Sequence, residues 1–338
     1  MNAFADGTTG GMSVTPDAGA PTAGAAADPA RAALRDRMAG VLLGTAAGDA
    51  LGAGYEFTRP GEHVPIDMIG GGLGDFAPGE WTDDTAMALA IALAADERRP
   101  GLDLDAVAAG FVRWYESGPA DIGVQTSKVL SGRPASAAAM RARSDALAGR
   151  TGGNGSLMRT APIALVHLDD PSACDRAAAE VSLLTHSDPQ AAEACRIWTL
   201  GIRHAVLHAN FDGVRAAADA LDTAADWHRL LDEAETGGPG HFPNNGWVVH
   251  ALQTAWWAVT TTDANSPDHL AAALARCVRA GGDTDTTAAI AGGLLGARWG
   301  ASAVPSRWRD MLHGYPGLTG ADLVALAERI TPGFGPSA

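Results

Sequence analysis

The sequence is poor in cysteine, in aromatic residues and in lysine. Its 338 residues include three cysteines, at positions 174, 195 and 277, 6% aromatics and a single lysine, Lys128. A sparse, odd number of widely spaced cysteines argues against a disulfide framework and against a structural zinc site. We therefore expect free thiols, as in a protein of the reducing cytoplasm.

The chain also lacks a basic excess and long apolar runs. Lys and Arg together number 24 against 39 Asp and Glu, which gives a formal net charge of −15. Broad binding to nucleic acid is not expected, because too little positive charge is present to neutralise phosphates. No run of about 18 strongly apolar residues predicts a membrane span. The N-terminus lacks the basic region and apolar core of a signal peptide.

The two ends of the chain differ in composition from its centre. Residues 1–30 are mostly Ala, Gly, Thr and Pro, without Lys or Arg, and this composition predicts a disordered leader. A short tail, 333–338, is expected at the other end. No linker-like stretch or internal repeat interrupts 31–332, so this region is predicted to form one domain.

The central region has a helical pattern. Apolar residues recur at spacings of three and four, and no convincing run of alternating β-branched residues occurs. We therefore predict an all-α fold. The pattern places helices near 32–53, 83–96, 104–116, 136–147, 171–184, 188–208, 212–221, 224–234, 247–260, 267–280, 286–298 and 320–330.

Four glycines stand at a strict spacing of four within the first predicted helix. Gly40, Gly44, Gly48 and Gly52 would share one helix face. Each costs about 1 kcal/mol relative to alanine in a helix interior, so the stripe needs a compensating cause. The favoured cause is a second helix that approaches too closely to leave room for a Cβ atom. The alternative is a helix broken by loops at the glycines.

Two acidic clusters come at the start of predicted helices, and each combines two carboxylates with threonine hydroxyls. Helix capping accounts for one carboxylate in each cluster, but not for two. If the clusters converge, their carboxylates repel one another unless a cation lies between them. An all-oxygen ligand set suits Mg²⁺ or Mn²⁺. The candidate ligands are Thr82, Asp83, Asp84, Asp283, Asp285 and Thr286.

Four further segments carry candidate binding residues. The loop Gly152–Ser156 can turn backbone N–H groups toward one concavity, as phosphate-binding loops do, or can be an ordinary tight turn. His186, just before a predicted helix start, is a candidate donor or a structural histidine. From spacing alone, the simpler interpretation of Asp121 is a residue in a loop turn. The simpler interpretation of Trp247 is an aromatic residue of the core.

These segments, taken in order, resemble the ADP-ribosylglycohydrolase family. The family includes the dinitrogenase reductase-activating glycohydrolases and the ADP-ribosyl-acceptor hydrolases. No single segment is decisive, but the ordered set is highly specific. The matching segments are 40–57 (GVLLGTAAGDALGAGYEF), 81–90 (WTDDTAMALA), 152–162 (GGNGSLMRTAP), 185–189 (THSDP) and 281–288 (GGDTDTTA).

The resemblance implies one compact, orthogonal all-α domain with a dinuclear Mg²⁺ or Mn²⁺ centre held by the six candidate ligands. It also implies that Asp84, Asp285, Glu56 and Asp121 take part in catalysis, Asp121 as in the bacterial branch. Trp247 matches a position near the adenine where relatives usually carry Tyr or Phe, so it departs from the pattern. The implied contacts with ADP-ribose are Gly153, Asn154, Gly155, Ser156, Met158, His186 and Trp247.

The implied activity is a metal-dependent hydrolase that removes ADP-ribose from modified protein side chains, with arginine as the first choice of acceptor. The expected partners are an ADP-ribosylated protein and ADP-ribose itself, and the expected state is a monomer. The same fold can act on other linkages: serine, poly-ADP-ribose, O-acetyl-ADP-ribose or a nucleic-acid base. Two further classes of function compete with these hydrolases: a non-catalytic ADP-ribose binder, and an immunity protein against an ADP-ribosylating toxin.

Overall fold

The computed structural model describes Gly7, residues 28–97 and residues 101–334. The predicted leader lies almost wholly outside these residues, and so does most of the predicted tail. Fifteen α-helices are present in the described part. They are α1 (Pro29–Gly52), α2 (Asp83–Glu97), α3 (Leu104–Glu116), α4 (Val124–Leu130), α5 (Ala137–Asp145), α6 (Ala161–Val166), α7 (Pro171–Leu183), α8 (Pro189–His208), α9 (Gly213–Asp219), α10 (Ala224–Thr236), α11 (Val248–Thr261), α12 (His269–Ala280), α13 (Thr284–Trp299), α14 (Ser306–Met311) and α15 (Gly320–Ile330).

The all-α prediction is confirmed, and every predicted helix is present with ends within about three residues of those expected. Three helices of six or seven residues, α4, α6 and α14, were not predicted. Helices this short are marginal by themselves and depend on tertiary packing. A small antiparallel pair, β1 (His313–Gly314) and β2 (Leu318–Thr319), also escaped prediction.

The first helix begins three residues earlier than the pattern indicated. Asp28 accepts a hydrogen bond from the backbone N–H of Ala30 at 3.0 Å, and Pro29 occupies the first turn, where it costs no backbone hydrogen bond. Near the other terminus, Arg31 donates to the carbonyl of Gly333 at 3.0 Å and lies 4.5 Å from the Phe334 ring. The beginning of the predicted tail therefore packs on α1.

The glycine stripe of α1 packs directly on the backbone of α13. A Cβ atom on Gly48 would lie 2.0 Å from the carbonyl oxygen of Ala288, and one on Gly44 would lie 2.3 Å from that of Gly292. The two outer glycines of the stripe meet α13 in the same way. The predicted close approach of two helices is therefore confirmed, and the alternative of a broken helix is wrong.

This antiparallel pair forms the centre of the core and positions the site. Every residue of α1 from Met38 to Gly52 is buried, and so is α13 from Thr284 to Ala297. The C-terminal end of α1 meets the N-terminal end of α13, where Gly52 contacts the backbone of Asp285. The second acidic cluster is thereby held against the end of the first helix.

The remaining helices surround this pair in one hydrophobic core. The three cysteines are buried and form no disulfide, as expected from their spacing. In the described ranges, no helix combines the length and the apolar character needed to cross a lipid bilayer.

Candidate active site

The two acidic clusters converge at one cavity of about 310 Å³. Asp83 comes from the start of α2, Asp283 and Asp285 come from the start of α13, and Glu56 and Asp121 come from loops. Among the described residues, no lysine or arginine lines this acidic cavity. The cavity therefore concentrates five acidic side chains without a basic side chain beside them in its described lining.

The acidic cavity fits divalent cations. Carboxylate oxygens of Glu56, Asp283 and Asp285 lie within 4.8 Å of one another. Asp84 is fully buried, and its Oδ1 has no hydrogen-bond partner. A buried carboxylate oxygen without a partner is costly, and a cation with oxygen ligands removes that cost. The donor set, which is carboxylates and hydroxyls without cysteine, suits Mg²⁺ or Mn²⁺.

Burial and mutual repulsion disfavour ionisation of these carboxylates in the protein alone. Burial raises the pKa of Glu56 to about 8, with further contributions from Asp283 and Asp121. For Asp83, Asp84 and Asp285, burial again raises the pKa well above the ordinary value, and neighbouring carboxylates add to it. A bound divalent cation would reverse this balance, because it stabilises the charged form.

Asp49, which is not among the candidates from the sequence, holds the first cluster in place. It is fully buried in α1, and its carboxylate accepts hydrogen bonds from the Thr82 hydroxyl at 2.9 Å and from the backbone N–H of Thr85 at 2.9 Å. It also accepts from the backbone N–H of Thr82 at 3.0 Å. Asp49 thus caps α2 from a different helix. The feature of the sequence that could have indicated Asp49 is a charged residue within an otherwise apolar, glycine-rich stretch of helix.

The two threonine candidates differ in position. Thr286 lines the acidic cavity, and its side chain offsets part of the rise in the pKa of Asp84. Thr82 is buried and does not line the cavity; its hydroxyl lies 3.1 Å from Asp84 Oδ2. Thr82 and Asp84 are therefore buried on either side of Asp83 in the sequence and do not line the cavity themselves.

A pair of asparagines joins the glycine-rich loop to the second acidic cluster. Asn154 donates to Asp283 Oδ2 at 2.7 Å and to the carbonyl of Asn245 at 2.9 Å. The side chain of Asn245 accepts from the backbone N–H of Asp283 at 3.0 Å and donates to the carbonyl of Gly281 at 2.8 Å. Asn245 is a second residue that is not among the sequence candidates, although its Asn-Asn-Gly segment is conspicuous.

Most of the predicted glycine-loop residues reach the acidic cavity. Gly153, Asn154, Gly155 and Met158 line it. Ser156 does not. Its hydroxyl is buried, accepts a hydrogen bond from Ser182 at 2.9 Å and lies 3.5 Å from Cys195 Sγ, so its side chain holds the loop and does not face a ligand. The predicted contact of Ser156 with the substrate stays a prediction.

His186 lies beneath the glycine-rich loop and lines the acidic cavity. A Cβ atom on Gly155 would lie 3.3 Å from its Nε2. Burial lowers the pKa of His186 well below 6.5, and the nearby Arg159 lowers it further. His186 is therefore a neutral ring with one nitrogen next to the loop.

Trp247 lies apart from the acidic cluster. It lines an adjoining cavity of about 610 Å³ together with Arg150, Asn244 and Asp188. The two cavities share Gln125, Gly153 and Gly246. A short bridge pairs Gly153 with Trp247, so the glycine-rich loop forms the boundary between them. The sequence candidates thus occupy two connected cavities.

Gln125, on the shared boundary, is another residue that is not among the sequence candidates. Its amide nitrogen donates to the carbonyls of Thr151 at 3.0 Å and Thr185 at 2.8 Å. Both of its hydrogens are then used, and only its oxygen remains free as an acceptor for a ligand. Nothing in the sequence around Gln125 indicates this position, because α4 itself was not predicted.

Comparison with known proteins agrees with this geometry. A family model described as ADP-ribosylglycohydrolase matches residues 30–337. An ADP-ribosylarginine hydrolase Tri1 from Pseudomonas putida (strain GB-1) is 35% identical over 290 residues, which is 81% of this chain and 73% of that protein. An ADP-ribosyl-[dinitrogen reductase] glycohydrolase from Rhodospirillum rubrum is 31% identical over 288 residues, 82% of this chain and 91% of that protein.

A solved structure is also similar. It is described as an ADP-ribosylglycohydrolase-related protein complex, and it superposes with a TM-score of 0.71 at 30% identity, over 88% of this chain and 98% of that one. The sequence match spans nearly all the described residues, and both acidic clusters fall within it. The chain therefore belongs to the ADP-ribosylglycohydrolase family and is an ADP-ribosyl hydrolase.

Proposed function

We propose that this chain is a divalent-metal-dependent hydrolase that cleaves the N-glycosidic bond between ADP-ribose and an arginine side chain of a protein. The observation that carries the proposal is the acidic cavity, which five carboxylates line and which no lysine or arginine of the described ranges lines. A guanidinium is a cation, so this cavity is complementary to the acceptor side of the bond. The relatives named as ADP-ribosylarginine hydrolases support the same choice.

We propose that ADP-ribose spans the two connected cavities, which share Gln125, Gly153 and Gly246. We place the glycosidic ribose among the carboxylates, and the diphosphate at Gly153–Gly155 and His186. The adenine then falls in the second cavity, beside Trp247 and Arg150. The aromatic and cationic side chains of this second cavity provide a stacking surface for a base. Backbone N–H groups and a neutral histidine allow an anion to bind in a net-acidic protein.

We propose that two Mg²⁺ or Mn²⁺ ions bind among the converging clusters, with Asp83, Asp84, Asp283 and Asp285 as ligands. The hydroxyls of Thr82 and Thr286 complete the set. When bound, such ions supply a Lewis acid for the sugar oxygens. The unpartnered, buried Oδ1 of Asp84 supports this assignment from the protein side.

Glu56 and Asp121 are assigned the acid–base work. Both line the acidic cavity. Hydrolysis of a glycosidic bond requires stabilisation of positive charge at the anomeric carbon and movement of a proton between water and the leaving group. We assign Asp121, which is half-buried and lines the cavity with Ile122 and Gly123, to the acceptor side. Glu56 lies among the proposed metal ligands, close to Asp283 and Asp285.

The test is release of free ADP-ribose from arginine-modified protein, with serine-modified protein in parallel. We expect release from the arginine substrate with Mg²⁺ or Mn²⁺, and loss of release in EDTA that is restored by adding either metal back. Release from serine-modified protein alone would overturn the acceptor assignment. Full activity in EDTA-treated, metal-free protein would overturn the metal assignment.

A further inference from the structure

Exposed apolar side chains collect around the acidic cavity. Large hydrophobic side chains that are exposed in the described part of the chain number five. Three of them line the acidic cavity: Phe57, 65% exposed, Leu73, 63% exposed, and Val124, 72% exposed. We call these three residues the apolar rim. Single exposed apolar residues are ordinary, but a cluster at the opening of one cavity indicates an interaction site.

The apolar rim is assembled from three separate segments. Phe57 follows α1, Leu73 lies in the glycine-rich turn 70–74, and Val124 starts α4. Phe57 has a φ of 54°, a left-handed conformation that is unfavourable for a bulky aromatic residue. Its backbone N–H donates to the carbonyl of Gly282 at 2.7 Å, which holds this conformation next to the second acidic cluster. Strained backbone of this kind concentrates at functional sites.

We propose that the apolar rim docks the protein substrate, by packing against apolar residues that flank the modified arginine. The proposal rests on the proposed function. The carboxylates beneath the rim complement the guanidinium, and the rim complements its apolar surroundings. The partner is therefore a protein with its modified arginine set among apolar side chains, and the rim discriminates among such proteins by the side chains that surround the arginine.

The rim is tested with two arginine substrates, an ADP-ribosylated protein and free ADP-ribosylarginine. The variant combines Leu73→Gln and Val124→Gln, and Phe57→Asn is tested separately because asparagine tolerates the left-handed conformation. We expect kcat/KM for the modified protein to fall at least about tenfold in the double variant, mainly through KM. For free ADP-ribosylarginine, which has no flanking protein surface, kcat/KM should fall by a clearly smaller factor.

Matched controls come from the other two exposed large hydrophobic residues of the described part of the chain. Val64→Gln and Ile69→Gln alter exposed apolar residues that do not line the cavity, and they should leave both substrates unaffected. An equal loss on both substrates, or no loss on the modified protein, would overturn the rim proposal. If the wild-type protein releases ADP-ribose from neither arginine substrate, the proposed function fails, and the rim proposal fails with it.

An independent observation concerns Arg159, which is fully buried and bonded only to neutral groups. Its Nη2 donates to the Thr185 hydroxyl at 2.7 Å and to the carbonyl of Val181 at 3.1 Å. Its guanidinium lies 4.4 Å from the centre of the Phe111 ring, and its Nη1 lies 3.7 Å from Met87 Sδ. Burial of a charged side chain costs free energy unless the charge is compensated. Burial lowers the pKa of Arg159 only to about 10, so the side chain stays charged at neutral pH.

The hydrogen bond from Arg159 constrains the direction of the hydrogen bond between the Thr185 hydroxyl and His186. Arginine has no acceptor, so the threonine oxygen must accept from it. The oxygen could also accept a second hydrogen bond, but its own hydrogen would then have no acceptor. Among the described residues, the one acceptor within hydrogen-bond distance of that hydrogen is His186 Nδ1, at 2.7 Å. In a neutral imidazole, a nitrogen that accepts leaves the proton on the other nitrogen. His186 Nε2 therefore carries the hydrogen, and it lies beside Gly153 and Gly155.

We propose that Arg159 and Thr185 are positioning residues that hold His186 in the Nε2–H tautomer, so that it donates to the diphosphate of the ligand. The donor chain runs from the buried guanidinium through the threonine hydroxyl to the imidazole and ends at the glycine-rich loop. This proposal also rests on the proposed function. It explains why a charged side chain is kept in the core without a carboxylate.

The tautomer is measured directly by ¹⁵N NMR of histidine side chains in the metal-loaded protein. We expect His186 as a single neutral Nε2–H form in the wild type. Thr185→Val, which keeps the shape and removes the hydroxyl, should lose this single form and weaken ADP-ribose binding about tenfold in calorimetry. Thr185→Ser should restore both. These two readouts do not depend on turnover or on the acceptor.

Two outcomes would overturn the relay. One is an Nδ1–H tautomer in the wild-type protein. The other is unchanged ADP-ribose affinity in Thr185→Val together with a changed tautomer. If the wild-type protein shows the Nε2–H tautomer but does not bind ADP-ribose, the ligand assigned under the proposed function is wrong. The diphosphate is then also wrong as the acceptor of this hydrogen bond.

Discussion

Replacement of Asp285 by asparagine is expected to lower turnover of ADP-ribosylarginine by at least about 10³-fold, with the helical circular dichroism nearly unchanged. Asp285 lies within 4.8 Å of two further carboxylates, from Glu56 and Asp283, so it is central to the proposed metal site. Loss of several kcal/mol of charge stabilisation has this effect on rate, since about 1.4 kcal/mol corresponds to tenfold. Asp84→Asn should behave in the same way.

A melting experiment separates loss of metal binding from loss of fold. In EDTA, Asp285→Asn should melt no lower than the wild type, because it removes one of several mutually repelling carboxylates. Adding Mn²⁺ should raise the melting temperature of the wild type but not of the variant, since a ligand stabilises only the state that binds it. Asp103→Asn is the control: Asp103 caps α3 outside the cavity, and asparagine caps equally well. Wild-type turnover in Asp285→Asn would sink the metal-site assignment.

The second large effect is expected in stability. Gly48→Ala should lower the melting temperature by at least about 5 °C, because its Cβ atom would lie 2.0 Å from the Ala288 carbonyl oxygen. Backbone atoms cannot rotate away, so α1 and α13 must separate, and overpacking of this kind costs about 3 kcal/mol or more. Helix propensity alone predicts the opposite sign, a gain of about 1 kcal/mol for alanine.

The sign of the change therefore decides between local propensity and packing. Gly61→Ala serves as the control, because this glycine is exposed and a Cβ atom there would meet nothing within 4 Å. Thermal melting by circular dichroism should show it unchanged within about 1 °C, in line with other surface substitutions. A Gly48→Ala protein that melts above the wild type would mean that the two helices do not approach as closely as described.

The observed helix ends agree best with the predicted ones where the residues that cap the helix are close to one another in the sequence. The helix Leu104–Glu116 has the predicted ends, since Asp103 caps its first turn through its own side chain. The helix Gly320–Ile330 likewise begins with a capping box formed by Thr319 and Asp322. Both caps join residues two or three positions apart, so the sequence alone contains them.

The residues that escaped prediction act over long separations. Asp49 binds Thr82, 33 residues away. Gln125 binds Thr185, 60 residues away, and Asn245 binds Asp283, 38 residues away. No local pattern specifies such partners, because they follow from how the helices pack. The buried position of the Ser156 hydroxyl rests on a contact of the same kind, with Ser182, 26 residues away.

The sequence by itself determined the all-α class, the close contact of the glycine stripe, the family and the set of acidic residues. These features depend on periodicity, on missing Cβ atoms and on short motifs, which are local properties of the chain. Spacing alone left open whether the two acidic clusters meet, and the tertiary structure decided that they do, at the junction of α1 and α13. It also placed the apolar rim around them and His186 beneath the loop, because burial and direction of a side chain depend on distant segments.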